Sequence, residues 1–253
     1  MHRYFLHISY NGKAYHGWQI QNNALSVQAV LNQKISIALQ ENTYVVGAGR
    51  TDTGVHAEFY MLHFDTQKEI SDKAGFIDKI NKLLPQDIAA YQIYDVPADA
   101  NTRFDAVSRS YEYRISLKKN PFLTDFAWYY RFNLDIELMN QAAGLLLNYD
   151  DFTSFSKTGT QVKTNICKIY EAKWFYTEKS VLVFRIKADR FLRNMVRAIT
   201  GTLIDVGKGK ISVNDFRKII EDKNRSSAGF SVPAQGLFLT DIEYPKGLIK
   251  GVE

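Results

Sequence analysis

The stretch Gly47-Ala-Gly-Arg-Thr-Asp-Thr-Gly-Val-His56 places one arginine, one aspartate and two threonines among three glycines, between two apolar segments. Glycines permit positive φ and close approach of backbone to a ligand, so such a loop can present Arg50 and Asp52 in a cleft. Two positions apart in an extended segment, the two side chains point the same way and could form an ion pair. A guanidinium beside a carboxylate keeps it ionised, and therefore nucleophilic or able to stabilise a cation. The loop is not a phosphate-binding P-loop, because it lacks the Gly-Lys-Ser/Thr ending and precedes a strand instead of opening a helix. Glycoside hydrolysis usually needs two facing carboxylates, and nothing in the spacing of Asp65, Asp87 or Asp105 marks one of them as the second. The same residues also fit a tight β-hairpin whose Asp52 caps its own turn.

Two other clusters carry charge. Arg190, Arg193 and Arg197 follow i, i+3, i+7 spacing, and no acidic residue lies between Arg190 and Thr202. On a helix they would form one basic stripe opposite Leu192, Met195, Val196, Ile199 and Leu203. That pattern suits a phosphate backbone or a carboxylate, although a solvated charged face has the same signature. Arg103, Arg109 and Arg114 are interleaved with Phe104, Tyr111 and Tyr113. Strand alternation puts Tyr111 and Tyr113 on one face and Glu112 and Arg114 on the other, a mixture of rings and cations that points to nucleic acid. His7, His16, His56 and His63 have no metal-ligand spacing, so they read as structural or surface residues and no metal is expected.

Elements must hold these groups in place. Apolar patterning predicts strands over 3–10, 43–46, 58–65 and 88–96. A helix is expected from Val27 with Ser26 as N-cap, and another over 74–84 stopped by Pro85, giving the order β-α-β-β-α-β. The second half reads as a variation on the same plan. Its strands are expected over 110–117, 165–176, 181–188 and 237–244, and its helices over 136–147, 190–206 and 213–222, with Gly207 as a C-cap. Turn chemistry over 95–101 marks a boundary, so the expected organisation is two similar α+β halves, 1–100 carrying the loop and 101–253 completing a cleft.

Composition narrows the class further. A chain of 253 residues with 45% hydrophobic and 23% charged residues is globular rather than disordered. One cysteine, Cys167, excludes an internal disulfide framework and any multi-cysteine metal site, favours the cytoplasm, and reads as a small strand residue. The opening residues alternate like a strand rather than forming an apolar signal, and no apolar run reaches membrane-spanning length. Net charge is +5, from 32 basic and 27 acidic residues, which favours a polyanionic partner.

The order of motifs resembles the tRNA pseudouridine synthase A family over nearly the whole chain. Tyr10-Asn-Gly, Tyr15-His-Gly-Trp-Gln19 and Ser26-Val-Gln28 are similar to the family's opening strand, turn and first helix, and Gly49-Arg-Thr-Asp-Thr-Gly-Val-His56 to its catalytic loop. Asn81-Lys-Leu-Leu-Pro85, Arg103-Phe104, Ser110-Tyr-Glu-Tyr113, Asp151-Phe-Thr-Ser-Phe155, Met195-Val-Arg197 and Gly236-Leu-Phe-Leu239 follow in family order. Thr53 stands where an alanine is common, and a longer C-terminal tail seen in some members is missing.

The resemblance implies that Asp52 is the essential aspartate and that Arg50 assists flipping of the target base. It implies that Tyr111 contacts the uridine, Arg197 pairs with the aspartate in place of Arg50, and Leu237 lines the pocket. It also implies conversion of uridine to pseudouridine at positions 38, 39 and 40 of the tRNA anticodon stem-loop, with no cofactor. A cytoplasmic homodimer taking one tRNA in a basic cleft, and one antiparallel sheet extended through both halves, are implied likewise. Attack at C6, attack at C1′ and removal of the C2′ proton remain open as routes for the carboxylate. A non-catalytic RNA-binding protein or another base-modifying enzyme would use much the same inventory.

Overall fold

The computed structural model describes residues 1–157, 159, 164–177 and 181–249 of the chain. It has the mixed α+β composition expected and divides into two units, the first made of Met1–Val107 with the chain from Leu239 onward, the second of Ser108–Phe238.

In the first unit β1 (His2–Tyr10) runs antiparallel to both β3 (His56–Thr66) and β4 (Ile88–Asp95), and β2 (Val46–Gly47) pairs antiparallel with β3. Two helices, α1 (Val27–Leu39) and α2 (Lys73–Leu83), complete the β-α-β-β-α-β order that periodicity predicts. Val27, Leu31, Ile35 and Ala38 of α1 are buried, and Ser26 caps the helix by accepting from the Ala29 amide. At the end of α2, Leu84 is extended ahead of Pro85, the conformation a following proline imposes. The core gathers Phe5, Leu6, Leu31, Ile35, Tyr60, Leu62 and Phe64, all essentially inaccessible to solvent.

The strand expected over 43–46 survives only at Val46. Upstream of it the backbone bonds to side chains of α1: the Val45 amide donates to Asn32 Oδ1 at 2.9 Å, the Val45 carbonyl accepts from Gln28 Nε2 at 2.8 Å, and the Thr43 amide donates to Ser36 Oγ at 2.9 Å. A helix face therefore satisfies groups that a neighbouring strand would otherwise have paired.

The second unit contains β5 (Ser108–Ser116), β6 (Trp128–Tyr129), α3 (Ile136–Leu145), β7 (Ile169–Tyr176), β8 (Val181–Ala188), α4 (Met195–Gly207) and α5 (Val213–Glu221). β8 pairs antiparallel with β5 and β7, and the two-residue β6, absent from the sequence expectation, lies parallel to β5. β9 (Leu237–Glu243) begins in this unit and ends in the first. Cys167 lies just before β7 instead of within it; it is buried, and burial pushes its thiol up to about 12.

The helix expected over 190–206 starts five residues later than its pattern suggests. Asn194, at φ 67°, is left-handed and donates through Nδ2 to Ser231 Oγ at 2.6 Å, so helical geometry cannot extend back through it. Arg190 and Arg193 thus belong to the preceding turn and make no helical stripe with Arg197. Every residue of α4 except Arg197 is buried. The C-cap is Lys208, not Gly207, and the left-handed turn falls at Gly209.

His63 on β3 is buried, with Nδ1 accepting from the Thr102 amide at 3.2 Å and lying 2.8 Å from Thr102 Oγ1. Burial, helped by the nearby Arg3 charge, lowers its pKa to about 4. Because the unfolded imidazole binds its proton near pH 6.5, the neutral folded form contributes stability in full above that pH and loses it progressively towards pH 4. The urea midpoint is therefore expected to fall between pH 7.5 and pH 5, and to fall less in His63→Asn. An equal fall in wild type and variant would remove His63 as a cause.

Candidate active site

The loop bearing Asp52 leaves the sheet at β2 and returns at β3. Its start is tied down by the Ala48 amide, which donates to the Met61 carbonyl at 2.9 Å, and by the Tyr60 hydroxyl, which donates to the Gly49 carbonyl. The Val55 amide donates to the Asp52 carbonyl at 3.1 Å, closing a turn in which Gly54 takes φ 77°. Asp52 is half-buried and Thr53 exposed.

A segment forty residues upstream clasps this loop. The Trp18 amide donates to the Thr51 carbonyl at 3.2 Å, the Gly12 amide donates to His56 Nδ1 at 3.1 Å, and the Tyr10 and Thr51 hydroxyls meet at 2.8 Å. The approach is close enough to require glycine. A Cβ on Gly12 would lie 2.0 Å from the Val55 carbonyl oxygen, and one on Gly17, which also takes φ 82°, 2.5 Å from the Thr51 carbonyl oxygen. Asn11 and Tyr15 anchor the clasp in turn. The Asn11 amide donates to the Asp87 carbonyl at 2.9 Å, and the Tyr15 hydroxyl donates to Asp87 Oδ1 at 2.6 Å; burial and that bond raise the phenol pKa. Asp87 thus accepts from both ends of the clasp's anchor. Thr51, Tyr10 and the clasp are the part of the site that residue chemistry alone overlooks; Gly12 and Gly17 were the available signal.

Arg50 and Asp52 share the loop. The Arg50 guanidinium donates through Nε to Gln19 Oε1 at 3.2 Å, and its side chain is exposed.

The other expected site residues belong to the second unit. Tyr111 on β5 is half-buried and meets the Phe191 ring edge-on at 5.1 Å. Its neighbour on the same face, Tyr113, is fully buried and donates its hydroxyl to the Pro233 carbonyl at 2.8 Å. Burial raises the Tyr113 pKa while Arg197 opposes the rise. Arg197 Nε donates to the Val232 carbonyl at 2.7 Å, and the Val232 amide returns a bond to the Arg197 carbonyl at 3.2 Å. The adjacent residues Val232 and Pro233 are therefore pinned to α4 and to β5 respectively, a few residues ahead of buried Leu237. Arg190 reaches towards the Thr164 carbonyl at 3.4 Å, and the Arg193 carbonyl accepts from the Lys157 amide. Among the described residues, no group of three or more His, Cys, Asp or Glu side chains could hold a metal ion, and no helix is long and apolar enough to cross a membrane.

If the clasp fixes the loop, Gly12→Ala should lower unfolding free energy by about 1–3 kcal/mol, as overpacking against backbone does. Gly49→Ala, with nothing within 4 Å of the added carbon, should stay within about 0.5 kcal/mol of wild type. Urea titration of both variants checks this, and equal stabilities would contradict it.

A family model described as tRNA pseudouridine synthase matches residues 142–245. Proteins named tRNA pseudouridine synthase A are similar over almost the whole chain. The one from Bacteroides fragilis is 51% identical, with 98% of each chain covered. The one from Parabacteroides distasonis is 49% identical, again with 98% of each covered. The one from Clostridium acetobutylicum is 39% identical, covering 94% of this chain and 98% of its own. With half its residues shared at full length, and with the Asp52 loop built as described, the chain belongs to the tRNA pseudouridine synthase A family.

Proposed function

We propose that this chain isomerises uridine to pseudouridine at positions 38, 39 and 40 of the tRNA anticodon stem-loop, with Asp52 as the catalytic nucleophile. Family membership supports the reaction class, isomerisation of uridine in tRNA. The observation that carries the residue assignment is the loop itself, which holds the backbone on both sides of Asp52 by hydrogen bonds.

The chemistry needs little else. The N1 to C1′ bond of uridine breaks, the uracil turns, and C5 joins C1′ as the C5 proton leaves and N1 regains one. Atoms and electrons balance within the nucleotide, so a single carboxylate that forms and releases a covalent bond accounts for the turnover. The uridine must first leave its stack, at a cost of a few kcal/mol. Arg50, exposed at the loop's edge, is assigned to that step. Tyr111 offers a ring to the displaced base and a hydroxyl for loss of the C5 proton, directly or through water. Arg197 is assigned as the cation that keeps the carboxylate ionised, and Leu237 as an apolar wall. The Arg197 and Leu237 assignments, and that of a homodimer receiving one tRNA across both subunits, rest on the resemblance.

Tritium release from tRNA transcripts labelled at C5 of uridine tests the proposal. Wild type should release tritium only from the anticodon stem-loop, and Asp52→Asn should release none while its tRNA affinity stays within a few-fold. Tight binding without release by wild type would turn the reading towards an RNA-binding protein, free uracil would indicate a glycosylase, and joint loss of binding and turnover in the variant would count against a catalytic role for Asp52.

A further inference from the structure

A pocket of about 120 Å³ lies beside the loop, wholly within the first unit, with Trp18, Gln19, Gln28, Tyr44, Arg50 and Arg103 in its lining and Asp52 outside it. Its base is fixed. Trp18 is buried and stacks on Tyr60 with ring centres 4.2 Å apart. Gln28, only 3% exposed, has both ends of its amide engaged: Oε1 accepts from Gln19 Nε2 at 2.9 Å and from the Ile20 amide at 3.1 Å, while Nε2 donates to the Val45 carbonyl and to the Tyr44 hydroxyl at 3.1 Å. That last bond positions a ring that is 58% exposed. Gln19 in turn steers Arg50, through the bond to its Nε.

A rigidly held, solvent-facing tyrosine beside two guanidinium groups, with no acidic residue in the lining, suits a planar ring attached to a phosphate. The volume is slightly below that of the cavity of about 150 Å³ known to accept benzene, so it suits one ring rather than a stack. We propose that this pocket is a second nucleotide subsite, distinct from the place where the target uridine reacts, and that it takes one unpaired base of the same RNA on Tyr44 with its phosphate at Arg50 and Arg103. The inference rests on the RNA-substrate reading and extends it by naming where a non-reacting nucleotide sits. Holding a neighbour of the target would support its displaced conformation, so binding energy from a remote contact serves the reacting base.

The test compares wild type, Tyr44→Ala and Tyr44→Phe in tritium release and in affinity for an anticodon stem-loop RNA. Tyr44→Ala should raise Kd and lower kcat/KM about ten-fold, and Tyr44→Phe should fall between it and wild type, because the ring supplies the stacking and the hydroxyl only its positioning by Gln28. Among stem-loops carrying a single abasic nucleotide, one position near the target should reproduce the loss and become insensitive to Tyr44→Ala. Unchanged affinity in Tyr44→Ala, or equal sensitivity at every abasic position, would overturn the subsite. So would uridine monophosphate competing as well as the RNA does, which would make it a site for free mononucleotides. If wild type binds the stem-loop in a Tyr44-dependent way yet releases no tritium, the isomerase reading fails and the subsite stands.

Discussion

Two backbone contacts without intervening side chains set the geometry on which the first unit's chemistry depends. Gly12 and Gly17 bring the 11–19 segment against the carbonyls of Val55 and Thr51, closer than any Cβ would allow. From that approach follow the Trp18 to Thr51 bond, the Gly12 to His56 bond and the turn that presents Asp52. A nucleophile gains most when its position is set in advance, since the cost of orienting it is then met on folding instead of in the transition state. The same clasp places Trp18 on Tyr60 and Gln19 beside Arg50, so the Asp52 loop and its neighbouring pocket share one support.

The second unit solves a related problem with a buried helix. α4 is enclosed along its whole length apart from Arg197, whose backbone and side chain both bond to Val232. A guanidinium held this way has its orientation restricted. Tyr113 fastens the next residue, Pro233, through its carbonyl. Its neighbour Tyr111 stays only half-buried and keeps a ring available. One strand therefore divides two chemically equal tyrosines into a structural and a candidate substrate-facing role.

Where hydrophobic period and backbone pairing agree, the sequence was readable: α1 with its Ser26 cap, β3, β8 and the stop at Pro85 lie where periodicity puts them. No strand forms over 43–45 because the backbone of Thr43 and Val45 bonds to the Ser36, Gln28 and Asn32 side chains, which strand patterning does not register. The start of α4 was misread because apolar spacing continues upstream through Leu192, while a single left-handed Asn194 decides where the helix can begin. The basic stripe fell with it. Of the site, the loop's composition was legible, since three glycines around an arginine and an aspartate are unusual between strands. Its clasp was visible only as a family motif, for its bonds join residues about forty positions apart and carry no periodic signal.

Native-state hydrogen exchange at the Gly12, Trp18 and Val55 amides in the RNA-free protein tests most directly whether the loop is set before substrate binds. Each donates across or within the clasp. Exchange only through opening as costly as global unfolding is expected if the loop is preorganised. Rapid exchange at these amides, with the β1 and β3 amides fully protected, would show a loop that orders only on binding RNA and would contradict a preorganised Asp52 loop.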